Sequence, residues 1–119
     1  MRAAIFLAIL LPVSGASAFA QTPKTTPSGS AETGKKTYVD RACWMCHGFA
    51  GQGGDGPGGP RLAGRVPDWE RFSKYVRRPT EQMIPYTVKV MSDQELADVF
   101  LWLKSLPPPP AVSRTPPLE

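Results

Sequence analysis

The sequence has one histidine, His47, and two cysteines, Cys43 and Cys46. A single histidine excludes most catalytic zinc sites, which draw on two or three protein nitrogens. It also excludes any cofactor clasped by two histidines of this chain. Long apolar runs are missing as well, and none approaches the roughly 20 residues that a membrane-crossing helix needs. There is no long basic run: 14 Lys and Arg stand against 10 Asp and Glu, for a formal charge of +4, so nothing points to nucleic acid. No alternating polar and apolar stretch is long enough for a sheet. Proline (14) and glycine (11) are plentiful instead, and the prolines are clustered. With 119 residues the chain holds one domain at most. Its 41% hydrophobic and 20% charged residues belong to a folding chain rather than a disordered one.

The first twenty residues read as a secretory signal peptide. Arg2 supplies the positive start, Ala3 to Leu11 is a short apolar segment, and Pro12 and Gly15 break any helix. Small residues at Ala16, Ala18 and Ala20 suit a signal peptidase, with cleavage expected after Ala20 and Ala18 as the alternative. No cysteine follows the apolar segment to take a lipid anchor, and the segment is too short to span a bilayer. Residues 21–30 then read as a flexible polar leader. Residues 107–119, with six prolines, read as an extended polyproline-like tail, either a spacer or simply solvated chain. Residues 31–106 remain as the domain, small enough to need a staple beyond its apolar core.

Three main helices are expected. The first runs from Ala31 to Cys43 with Ser30 as its cap, and Gly34 and Tyr38 share a face, being four apart. The second begins near Pro67 and Asp68, with proline at a first helical position, and runs to Arg77. Trp69, Phe72, Tyr75 and Val76 make its apolar stripe. The third opens on Ser92 and Glu95, the capping-box pattern S-x-x-E. Leu96, Val99, Phe100 and Leu103 form its stripe, Trp102 and Leu106 widen it, and Pro107 ends it. Gly48 to Gly64, rich in glycine and holding Pro57 and Pro60, is a loop.

The staple is Cys43-Trp44-Met45-Cys46-His47, the pattern C-x-x-C-H. Two thiols at this spacing add to the two vinyl groups of a heme, and the adjacent histidine meets the iron from the same turn of chain. The same C-x-x-C also occurs as a thioredoxin-like redox pair, but that expects a βαβ context. A disulfide across two residues is tight. A zinc site wants four ligands where this segment offers three.

With these residues in place, the segment 31–106 resembles a class I cytochrome c. Cys43, Cys46 and His47 match its attachment motif, and Gly34 and Tyr38 match its small-then-aromatic pattern on the first helix. Trp102 stands where its last helix carries an aromatic, and Gly59-Pro60-Arg61-Leu62-Ala63-Gly64 looks like its G-P-x-L-x-G. The resemblance implies an all-α cytochrome c fold, three main helices and loops around one covalently bound heme c. It implies that the Pro60 carbonyl accepts a hydrogen bond from His47, with Pro57 the weaker candidate, and that Leu62 packs on the heme.

For the sixth iron ligand the resemblance points to Met83, whose neighbours Ile84-Pro85-Tyr86 match the family's M-P-x-Y or M-x-P-Y loop. Met91 is the alternative, better suited to the core; Met45 lies inside the attachment loop. Tyr38, Trp69, Phe72, Tyr75, Tyr86, Phe100 and Trp102 are expected to wall the heme. Trp69, Arg65, Arg77 and Arg78 are considered as propionate partners, with a solvated pair the plainer reading of the last two. The function implied is one-electron transfer in the periplasm between redox protein partners, as a carrier or as the cytochrome subunit of a dehydrogenase complex, and not catalysis. The alternative is a gas- or peroxide-binding heme protein with a labile sixth ligand.

Overall fold

The computed structural model describes residues 25–54 and 58–110. The expected signal peptide at 1–20, the start of the expected leader, Pro57 and the end of the Pro-rich tail lie outside the described residues. Among those described there are four helices and no strand: α1 (Ala31–Asp40), α2 (Trp44–His47), α3 (Trp69–Arg77) and α4 (Asp93–Ser105). The fold is all-α.

The frame is the crossing of α1 over α4. A Cβ built on Gly34 would lie 1.9 Å from the backbone oxygen of Asp98. Only glycine lets the two backbones meet there. One turn on, Tyr38 is fully buried and stacks at a tilt on Trp102, ring centroids 4.7 Å apart. Leu96, Val99, Phe100 and Leu103 are all buried, as their helical spacing predicts. Each such side chain contributes about 1.5–3 kcal/mol through the apolar surface it removes from water. Phe100 extends the core to α3, with its ring 5.3 Å from Phe72 and 5.5 Å from Trp69.

The ends of α4 follow the sequence closely. Glu95 N–H donates to Ser92 Oγ at 3.1 Å, and Ser92 N–H donates to Glu95 Oε2 at 2.7 Å, closing the capping box. Two other boundaries differ from expectation. The first helix ends at Asp40, not Cys43. Ala42 turns into the left-handed region at φ 58°, and the N–H groups of Ala42 and Cys43 donate back to Val39 and Tyr38. This closes α1 and costs about 1–2 kcal/mol for a residue with a Cβ. The chain then restarts as the single turn α2. The helix α3 begins at Trp69, because Asp68 is its cap and accepts from Arg71 N–H at 2.9 Å. Pro67 therefore precedes the cap instead of opening the helix.

The flanks are held to this frame. Asp98, buried on α4, accepts from Ser30 N–H at 2.8 Å, and Gln94 Nε2 donates to Ser28 O at 2.7 Å. At the other end Arg61 donates to Pro107 O at 3.3 Å.

Candidate functional site

The break at Ala42 gives the C-x-x-C-H segment its own turn, with Cys43 as the N-cap of α2 and His47 as its last residue. His47 N–H donates to Cys43 O, which keeps the two on one turn. The buried Tyr38 hydroxyl donates to Gly48 O at 2.8 Å, tying the end of this turn to α1. Cys43 and Cys46 are not joined in a disulfide; the first is half-buried and the second exposed. Burial pushes the Cys43 thiol above its ordinary range.

The glycine-rich loop folds back over the motif. Gly53 N–H donates to His47 O at 2.8 Å and Gly59 N–H to Cys46 O at 2.7 Å. Leu62 and Ala63 both donate to Gly51 O. This brings the Pro60 carbonyl to 2.8 Å from His47 Nδ1. A carbonyl only accepts, so Nδ1 carries the proton and Nε2 keeps its lone pair. The imidazole is also cradled: a Cβ on Gly59 would lie 2.5 Å from its Cε1 and 2.6 Å from its Nδ1. His47 is buried, its tautomer fixed, with one nitrogen left to bind a metal.

Between α3 and α4 the chain forms an irregular strap, residues 78–92. Tyr86 anchors it. Its N–H donates to Val76 O at 3.0 Å and its hydroxyl to Arg41 O at 2.7 Å. Burial pushes the Tyr86 hydroxyl up to about 12, which keeps it protonated and donating. Met83 is half-buried and packs against the core, as does Leu62. Met91 is 1% exposed and belongs to the core itself, and Met45 is 70% exposed.

The other residues expected around the heme differ in burial and engagement. Tyr75 is 41% exposed, because its position on α3 falls at the edge of the buried stripe. Arg77 is neither solvated nor free for a propionate: its guanidinium is engaged by Tyr86 O, Met91 O and Asp93. Arg65 and Arg78 are exposed. Trp69 is buried against Phe72 and Phe100. Among the described residues no group of three or more His, Cys, Asp and Glu is placed to hold a metal ion.

Sequence reasoning missed the Gly59 cradle, the stacking of Trp44 on Phe49 at 4.4 Å, the pairing of Arg41 with Glu95 at 2.7 Å, and the engagement of Arg77. Gly59 was legible only as part of a motif. Arg77 left no signal, since two of its partners are backbone carbonyls.

Three helices among the described residues, together with a C-x-x-C-H turn, α2, whose histidine is cradled by the returning loop, define a class I c-type cytochrome domain. The family model described as cytochrome c oxidase, cbb3-type, subunit III matches residues 29–103, more than half of the chain, and the chain belongs to that family. Neither the curated proteins nor the solved structures contain a match to it. A cytochrome c domain implies a covalently held heme c and heme-based electron transfer. The residues fit the group: Cys43 and Cys46 are consistent with its attachment motif, and the cradled imidazole beside them offers a bare nitrogen.

Proposed function

We propose that the chain is an exported monoheme electron-transfer protein, in which Cys43 and Cys46 would hold the heme and His47 and Met83 would bind its iron. The observation that carries the reading is the 2.8 Å contact of His47 Nδ1 with Pro60 O, which leaves Nε2 for the metal. When bound, the heme supplies a one-electron iron couple.

The protein's own residues do the rest. The Cys43 and Cys46 sulfurs hold the group in place. Pro60 and Gly59 hold the His47 ring in one orientation and one tautomer. The Met83 thioether is neutral and soft, so it favours the ferrous state relative to harder donors and raises the reduction potential. With both ligands supplied by the protein, no position would be left for oxygen or peroxide, which would suit passing electrons and disfavour catalysis. Leu62 and Tyr86 would help to keep water from the group. The apolar start of the chain supports export to the periplasm. There the partners would be redox proteins, the chain serving as a free carrier or as the cytochrome subunit of a dehydrogenase complex.

A potentiometric titration followed by visible absorption tests this reading. The expected result is one reversible transition carrying one electron. A colourless protein, or a two-electron transition that belongs to the thiols, overturns it.

A further inference from the structure

We infer that Arg77 is a positioning residue: its guanidinium latches the strap that carries Met83 and so sets how often the sulfur leaves the iron. The inference rests on the assignment of Met83 as the axial ligand.

Arg77 is the last residue of α3, so the strap leaves directly from it. Its Nη1 donates to two backbone oxygens of that strap, Tyr86 O and Met91 O, each at 2.7 Å. Its Nη2 donates to Asp93 Oδ1, also at 2.7 Å, at the start of α4. The side chain is only 18% exposed. One cation thus ties the far side of the strap to both flanking helices. Met83 lies inside the closed loop, between Arg77 and the Tyr86 anchor. Hydrogen bonds from a charged donor are about twice as strong as neutral ones. The planar fork meets three acceptors at once, which a lysine ammonium on a flexible stem does not reproduce.

The latch has a measurable consequence. An external ligand can take the iron only while the strap is open, so its apparent affinity scales with the open fraction. Removing the carbonyl bonds raises that fraction. An unmodified strap held only by packing would respond little.

Imidazole titration of the ferric holoprotein tests this. Arg77→Gln is expected to raise imidazole affinity about tenfold, the loss of charged hydrogen bonds being of that size. The absorption band of sulfur-ligated ferric heme should weaken in parallel. Arg77→Lys should fall between Arg77→Gln and the parent. Asp93→Asn, which leaves both carbonyl bonds intact, should stay within about twofold of the parent, because the Asp93 carboxylate itself is exposed.

A folded Arg77→Gln protein with the parent's imidazole affinity overturns the inference. If Arg77→Gln yields no holoprotein, Arg77→Lys decides, and an unchanged affinity there overturns it equally. A merely structural role would lower the denaturation midpoint and leave imidazole affinity alone. Met83→Ala separates the two levels: if it binds imidazole no better than the parent, the ligand assignment fails and the latch with it.

Discussion

Gly59 shows how closely the site is built at the scale of a residue. Its missing side chain is the space the His47 imidazole occupies, with ring atoms 2.5 to 3.0 Å from where a Cβ would stand. Gly59→Ala must push the ring away from Pro60 O or move the loop, at a cost of about 1–3 kcal/mol for overpacking. Thermal unfolding of the holoprotein should show a midpoint lower by several degrees; an unchanged midpoint contradicts the cradle. The same scale shows what a sequence can carry. The cysteines and His47 form a local pattern with fixed spacing, so they could be named before any coordinates, whereas Pro60 came from the family resemblance. Arg77 could not, because a backbone carbonyl is the same in every residue and marks no partner in the sequence. Met83 was distinguishable from Met91 only by its neighbours, and the burial of Met91 in the core is what the Ser92 cap beside it implies.

At the scale of elements, the capping box of α4 does more than start a helix. Glu95 also pairs with Arg41, on the stretch between α1 and the attachment turn. The Arg41 guanidinium and the Ser92 N–H together lower the Glu95 carboxyl from 4.5 to about 2. A folded-state value below the unfolded one contributes stability that is present above pH 4.5 and lost as pH falls toward 2. Both side chains are about a third exposed, so the contribution is about 1 kcal/mol or less. Urea unfolding at pH 7 and pH 3 should show the parent losing more stability than Glu95→Gln, which keeps the cap without the charge. Equal losses contradict the pairing. Helix starts were legible here because caps are local chemistry. The end of α1 was not: Ala42 and Cys43 have side chains compatible with helix, and the packing of the attachment turn, not propensity, forces the left-handed residue.

At the scale of the whole molecule, the described core is drawn mainly from α3 and α4, with Tyr38 of α1 and Tyr86 and Met91 of the strap. A domain of this size usually needs a covalent or metal staple. The C-x-x-C-H turn supplies the place for one. The all-α class and the number of main helices could be read from periodicity and proline. The return of the glycine-rich loop over His47 could not, because it rests on backbone hydrogen bonds between residues with almost no side chains.

The central claim is that His47 and Met83 fill both faces of the iron and leave the protein an electron carrier. Adding carbon monoxide to the reduced protein tests it most directly. The account predicts a low-spin c-type spectrum that carbon monoxide leaves unchanged in the parent and shifts in Met83→Ala. A clear shift in the parent would mean an open sixth position and would contradict the account.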